Sequence, residues 1–507
     1  MRQLSELDAS FLYLESETTP MHIGGLYLFD GSAREEALDF AAFRHFLEKR
    51  LHLAHFFRQR ILHVPLRLDR PYWVDDAEFS LDNHLSHYDM AQQGGMEELV
   101  ALTEEILAQP LNQDRPLWQI TFVDQLGEAL PKNSFAVIVR VHHAAIDAFS
   151  GEEVMGTLLE YGTESRPSVQ PRPWTPREAP SPARLAAQAS ANMMQRPFKL
   201  AGIARDAASA ALHGLITQRL GRLRWSSQLF RAPKTPFNRN ITARRQLITH
   251  GVPLARLKAL KSVIGESVTL NDVVLGVCAE TLNRYLALQE STPERSLVAL
   301  TPVSVRSKSL RRPTGNQMSA MLLSLASDEP DPARRVRMIS RNARVSEIYQ
   351  QAIAADRLTE LVPSTLLALS ARLYSEFQLA QRYQPVFNVP ITNVPGPQVP
   401  LYLQGARMTH QINSAPLFDG AGLVILAISY QGTMNFNITL CPDLISDGKR
   451  LPAMIEESLA AIEEAAYHLT PEEEEETRSS QQGSALLDDV MGNMEGWLQR
   501  VFSPLKR

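Results

Sequence analysis

The segment HHAAIDAFSG, residues 142–151, sets two adjacent histidines just beyond the apolar run FAVIV and an aspartate four positions after the second histidine. Chemistry collects where strands give way to loops, so a strand ending in two histidines can hold one of them at the mouth of a cleft. Side chains alternate along an extended chain, so His142 and His143 cannot both face one site: one is free for chemistry while the other packs. Neutral imidazole titrates at about pH 6.5 and can take a proton from a hydroxyl near neutral pH. Asp147 is placed to brace the loop. A zinc site is disfavoured, because the histidines lack the i, i+4 spacing of a helical metal site and no third ligand is obvious. A satisfied structural histidine remains open beside the catalytic one.

The elements that must position this segment can be read outward from it. WQITFVDQL (118–126) and SFAVIVRV (134–141) are rich in β-branched and aromatic residues and predict strands. YLFDG (27–31) closes another strand. FRHFLEKRLHLAHFFRQRIL (43–62) and MEELVALTEEILAQPL (96–111) have helical periodicity. Ser150 with Glu153 predicts a capping box for a following helix. Residues 166–185 are rich in proline and charge and predict a linker, followed by a basic, alanine-rich helical stretch over 183–224. A second block predicts the helix NDVVLGVCAETLNRYLAL (271–288) and the strands SLVALTPVSV, SAMLLSLAS, LVILAISYQ and TMNFNITLC. Five glutamates (472–476) precede an amphipathic helix, SALLDDVMGNMEGWLQRVF.

Bulk properties narrow the class. At 507 residues the chain exceeds one compact core, and its formal charge of −5 offers no basic excess for nucleic acid. Two cysteines, Cys278 and Cys441, form no disulfide framework or zinc spacing and suit a reducing cytoplasm. The N-terminus has acidic residues where a signal peptide is apolar, and no apolar run approaches the roughly 20 residues of a membrane span. A soluble protein, or one lying on a membrane surface, is expected.

HHAAID resembles the HHxxxDG signature of the CoA-dependent acyltransferase superfamily. The stretches LDASFLYLESETTPMHIGG (7–25), RPLWQITFVDQL (115–126), TLNDVVLGVCAETLNRYL (269–286), TPVSVR (301–306), GNQMSAMLLSL (315–325) and FNVPITNVPGP (387–397) look like successive blocks of the bacterial wax ester synthase/diacylglycerol acyltransferase family, in that family's order. The resemblance covers residues 5–465 or so. It implies an α/β (α+β) fold of two chloramphenicol-acetyltransferase-like domains with mixed sheets and a tunnel at their interface. The expected division is 1–165, a linker and helical crossover over 166–239, 240–470, and a separate tail over 471–507.

By the same resemblance the reaction is transfer of a long-chain acyl group from acyl-CoA to a fatty alcohol or diacylglycerol. His143 is the general base, and neither an acyl-enzyme nor a cofactor is required. The sequence contains no G-x-S-x-G nucleophile motif. The family pattern has glycine after the motif aspartate; here it is Ala148, with the next glycine at Gly151. If the backbone there needed positive φ, alanine would cost about 1 kcal/mol. Arg58 is the implied partner of Asp147, with Arg60 and Arg306 as alternatives.

Asn271 is expected to line the tunnel and steady an oxyanion beside Asp272, although TLND equally reads as a helix start capped by Thr269. Trp118 of the PLW triplet reads first as a strand anchor and second as tunnel lining. Asn393, Pro395 and Gly396 of the NVPGP turn are candidates for the donor-side wall. The basic crossover and the C-terminal helix are candidate contacts with a membrane or lipid-inclusion surface, from the cytoplasmic side of the inner membrane. Two other functions compete: a condensation-type enzyme using carrier-protein thioesters, for which this chain has no carrier domain, and a non-catalytic lipid-binding protein, against which the intact motif argues.

Overall fold

The computed structural model describes residues 1–92, 94–146, 156–163, 174–192, 194, 232–304, 318–353 and 384–468. Its first elements are β1 (Arg2–Gln3), α1 (Glu6–Leu14), β2 (His22–Asp30), α2 (Phe40–Glu48), β3 (Gln59–Leu62), β4 (Tyr72–Asp75) and β5 (Leu85–Asp89). They lead into α3 (Met96–Leu107), β6 (Trp118–Asp124), β7 (Phe135–His142) and the single turn α4 (His143–Ile146). The helix starts have local causes. Ser5 Oγ accepts the Asp8 N–H at α1, Asp39 accepts the Ala42 N–H at α2, and Glu98 accepts the Gly95 N–H at α3.

The second block contains β8 (Gln246–Pro253), α5 (Leu254–Ile264), α6 (Leu270–Leu288), β9 (Val298–Ser304), β10 (Met318–Ser324) and α7 (Pro332–Ile353). It ends with β11 (Val389–Val394), β12 (Tyr402–Leu403), β13 (Ala406–Ser414), β14 (Leu423–Tyr430), β15 (Thr433–Leu440) and α8 (Leu451–Tyr467). One six-stranded sheet runs β10-β9-β11-β14-β15-β8, with parallel pairs at β9–β11 and β11–β14 and antiparallel pairs elsewhere. Helices α5, α6, α7 and α8 bury their apolar faces with it in one core that includes Val277, Leu282, Val336 and Ile455.

The other six-stranded sheet runs β12-β13-β2-β7-β6-β5, antiparallel except for β5–β6. Its central strands alternate as a two-sided sheet must. Tyr27, Phe29, Val137 and Val139 join one core with α1 and α2 residues, while Leu26, Leu28, Ala136 and Ile138 join another with Leu99 and Leu107 of α3. A three-stranded antiparallel sheet, β1-β4-β3, flanks it.

The sheets do not divide where the linker does. Strands β12 and β13 come from the second block, yet they complete the sheet of the first, β13 pairing β2 from Arg407↔Asp30 to Ser414↔Gly24. Gly25 makes this close approach possible, since a Cβ there would stand 2.4 Å from Ile412 O.

The helix expected over 43–62 is corrected. Helical geometry in α2 ends at Glu48; short 3₁₀ turns follow at Leu51–Leu53 and His55–Arg58, then β3. The buried Arg50 overrides local periodicity by donating to Thr157 O at 3.0 Å and pairing with Glu160, which draws the chain inward. Leu51, Phe56 and Phe57 are buried all the same. The linker is pinned as well, because Arg177 Nε bonds Asp75 Oδ2 at 3.0 Å, and helix begins again at residue 182. Most of the basic crossover, the Ser150 cap and the whole C-terminal tail lie outside the described residues.

Candidate active site

The end of β7 separates the two histidines as alternation requires. His142, the last strand residue, is fully enclosed on the α3 side; His143, the first residue of α4, faces α1. His142 Nδ1 accepts the Ala144 N–H at 3.0 Å, which assigns the ring proton to Nε2. That nitrogen lies 3.5 Å from Glu15 Oε2. Cross-strand from His142 is His22. Its Nε2–H donates to Leu107 O at 2.9 Å, and burial, with Arg140 and His142 adding to it, pushes its pKa down to about 3.

The His143 backbone N–H donates to Met21 O at 2.7 Å, and its ring stacks on Phe11 of α1 with centroids 3.9 Å apart. Nδ1 is enclosed with no partner among the described residues. Burial pushes the imidazole pKa down to about 4, with the adjacent His142 adding to the effect. The ring is therefore neutral throughout the physiological range.

Glu15 joins these groups. Oε1 accepts the Met21 N–H at 3.2 Å, and Met21 in turn accepts from His143. Oε2 faces His142, which fixes the N–H of Ala144 on the other side of His143, and also accepts from Gln113. Burial alone would raise its pKa, but the bonds to His142, Gln113 and Met21 outweigh burial and hold the carboxyl below its ordinary range. Phe11, Glu15, Met21 and His22 were not read from the sequence as site residues. The signal available was their place in the block LDASFLYLESETTPMHIGG, where Glu15 directly follows the apolar run FLYL.

The other expected residues are distributed unevenly. Asp147, Ala148, Gly151 and Arg306 lie outside the described residues. The Arg58 guanidinium sits over the rings of Phe79 (5.9 Å) and Trp174 (5.0 Å), whereas Arg60 lies 3.8 Å from Asp76. Asn271 and Asn393, distant in sequence, meet: Asn393 Nδ2 donates to Asn271 Oδ1 at 3.3 Å. The buried Asp272 closes the capping box of α6, accepting the Thr269 N–H at 2.8 Å while Thr269 Oγ1 accepts the Asp272 N–H at 3.2 Å.

Gly396 sits where a Cβ would stand 2.1 Å from Ser429 O, and its N–H donates to Ser429 Oγ at 3.1 Å, so Pro395–Gly396 is a turn fastened to β14. Trp118 is an anchor in the core. Its Nε1–H donates to Phe57 O at 3.0 Å and its ring stacks on His84. It also lines a cavity of about 230 Å³ that does not include His143. Both cysteines are buried thiols, and burial pushes Cys278 up to about 12, far from a reactive thiolate. Among the described residues no cluster of acids, histidines and cysteines is placed to hold a metal ion, and no helix is long and apolar enough to cross a membrane.

Two mixed sheets interlocked by an exchanged strand define the class of fold. The architecture is that of the condensation domains. The first condensation domain of the calcium-dependent antibiotic synthetase superposes with a TM-score of 0.55 at 16% identity, over 92% of this chain and 96% of that one. The wax ester synthase/diacylglycerol acyltransferase from Marinobacter aquaeolei VT8 superposes with a TM-score of 0.63 at 24% identity, over 92% of this chain and 99% of that one.

Sequence comparison is more specific. The family described as wax ester synthase/diacylglycerol acyltransferase catalytic domain matches residues 4–274, and the family's C-terminal domain matches 314–463. A Mycobacterium tuberculosis protein named provisionally as a diacylglycerol O-acyltransferase is 32% identical over 461 residues, 88% of this chain and 87% of that one. A probable diacylglycerol O-acyltransferase of the same species is 30% identical over 478 residues, 90% and 98% of the two chains. The chain belongs to the wax ester synthase/diacylglycerol acyltransferase family and is an acyltransferase.

Proposed function

We propose that the protein moves a long-chain acyl group from acyl-CoA to the hydroxyl of a fatty alcohol or of diacylglycerol, with His143 as general base. The observation that carries this reading is the His143 imidazole, held neutral by burial and fixed on both flanks by backbone hydrogen bonds at the family's motif position. The acceptor O–H proton passes to the imidazole while the oxygen attacks the thioester carbonyl carbon. The carbonyl electron pair moves onto its oxygen, then returns and expels the CoA thiolate, which takes the proton from the imidazolium. A base with a pKa of about 4 is weak at rest. It strengthens when an oxyanion forms beside it in a dry site, because the ion pair offsets the desolvation that depressed it.

Asn271 is the candidate oxyanion donor. Its Oδ1 is engaged by Asn393, which leaves the amide N–H groups for a substrate oxygen. Direct transfer without an acyl-enzyme suits buried cysteines and the missing nucleophile motif. A passage between the two halves would bring donor and acceptor together, with Arg58 and Asp147 bracing the motif loop. Contact with a membrane or lipid inclusion would supply the oily substrates at a cytoplasmic surface.

The test is release of free CoA from palmitoyl-CoA with hexadecanol or dioleoylglycerol as acceptor. His143→Ala should lower the rate by about 10²–10⁴ with its circular dichroism unchanged. A folded His143→Ala enzyme that turns over like the parent would overturn the mechanism.

A further inference from the structure

Behind the β7 end, on the α3 side, lies the cavity of about 230 Å³ noted above, and its chemistry is unlike that of the His143 site. Its floor is buried: His84, Trp118 and Arg140, with Gln119 half-buried. Its rim is exposed and carries Asn83, Asn112 and Arg115. No acid lines it.

Arg140, only 6% exposed, is the informative residue. Its Nη1 donates to Ile106 O and Gln109 O, both at 2.6 Å, at the C-terminal end of α3, and its Nη2 to Gln119 Oε1. A guanidinium has five N–H donors. Three are used here, which leaves one on Nη2 and the N–H of Nε, a buried atom with no partner among the described residues. Helix carbonyls and an amide meet the charge only in part, since none of them is an anion. Burial without a carboxylate accordingly draws its pKa down to about 10.

His84 Nδ1 donates to Trp118 O at 2.9 Å, so the neutral ring packs the floor and the anion-binding donors are those of the arginines and amides. A buried cation, a second arginine at the mouth and amides between them, with no acid among the described lining residues, is a site built for a compact oxyanion.

We propose that this pocket binds a phosphate group. Its lining does not include His143, and its occupancy does not depend on which acceptor the acyl-transfer site takes. The chemistry fits inorganic phosphate, a phosphate of CoA and the headgroup of an anionic lipid alike.

The probe is inorganic phosphate, titrated calorimetrically into the intact protein without acyl donor, against sodium chloride at matched ionic strength. Saturable phosphate binding is expected. Arg115→Gln, on the rim where folding does not depend on it, should weaken binding about tenfold or more, and Arg140→Gln should abolish it. Because Arg140 also ties down the end of α3, circular dichroism of that variant is required, and Arg115→Gln carries the test if Arg140→Gln unfolds. Identical responses to phosphate and chloride, or undiminished binding by Arg115→Gln, would overturn the proposal. Three competition results identify the source. Displacement of phosphate by CoA assigns the pocket to the donor, displacement by vesicles containing phosphatidic acid assigns it to a lipid headgroup, and displacement by neither leaves the free ion.

Discussion

The protonation state of His143 is set by what is packed around it more than by what it bonds. Stacking on Phe11 and enclosure of Nδ1 remove water from the ring, and the pKa falls to about 4. A base is inactive when protonated, so the acid limb of kcat/KM should lie below pH 5, leaving the profile flat from pH 8 through the usual histidine range. A limb near pH 6.5 would mean that the ring is solvated in the free enzyme. Stability has its own pH dependence. The neutral forms of His143 and of His22, depressed to about 3, are favoured only in the fold. The unfolded chain therefore takes up protons first, and stability present above about pH 6.5 declines as pH falls toward 4. Glu15 acts through other groups, holding Met21 and His142 and so both flanks of His143. Glu15→Gln keeps the shape but removes the charge facing His142. A positioning role predicts kcat lowered about tenfold with KM little changed. A raised KM at constant kcat would place Glu15 in substrate binding instead.

At the scale of elements, the start of α6 decides between two readings of the ND pair. The carboxylate of Asp272 is occupied by the Thr269 N–H, so it caps the helix, while Asn271 beside it is free to face Asn393. Thr269→Ala should lower unfolding free energy by about 1 kcal/mol in denaturant titration, with kcat reduced only as far as Asn271 shifts. Loss of activity as deep as that of His143→Ala, at unchanged stability, would contradict a capping role. Several elements were legible because burial imposes a pattern on them. Strands β6, β7, β14 and β15 carry β-branched and aromatic residues, and the NDVVLGVCAETLNRYLAL helix is α6 nearly to the residue. Others were not. Strand β13, ARMTHQINS, has little apolar alternation, and its place is set by its partner β2. Helix α7 is rich in arginine and polar residues, and the stretch after α2 is bent by Arg50 reaching residues far along the chain. The candidate residues divide in the same way. His143 was legible from a local motif, whereas Glu15–His142 and Asn271–Asn393 are meetings that only the fold arranges.

Over the whole molecule, the exchanged strand makes two similar blocks into one folding unit. Strand β2 lies between β7 of its own block and β13 of the other, so removing the second block would expose a long central edge. Polar ties reinforce the union. Tyr27 Oη donates to Asn413 Oδ1 at 2.9 Å, the Asn413 N–H donates to Asn437 Oδ1 of the other sheet at 3.1 Å, and the Leu247 N–H of β8 donates to Glu104 of α3 at 2.7 Å. Arg245, nearly buried, donates to Thr18 O at 2.7 Å from across the junction, in the segment that leads to Met21 and His143. Two independent domains would melt separately; blocks sharing a sheet should melt together. Differential scanning calorimetry of the intact chain should therefore show one transition for the two blocks, with calorimetric and van't Hoff enthalpies in agreement. Residues 1–240 expressed alone should aggregate through the bare β2 edge. Two resolved transitions, or a soluble 1–240 fragment with a cooperative melt of its own, would show that β13 is an attachment and not a structural member of the first sheet. The same coupling bears on the proposed mechanism, because Asn271 belongs to one block and His143 to the other, and a shared strand ties the two blocks together.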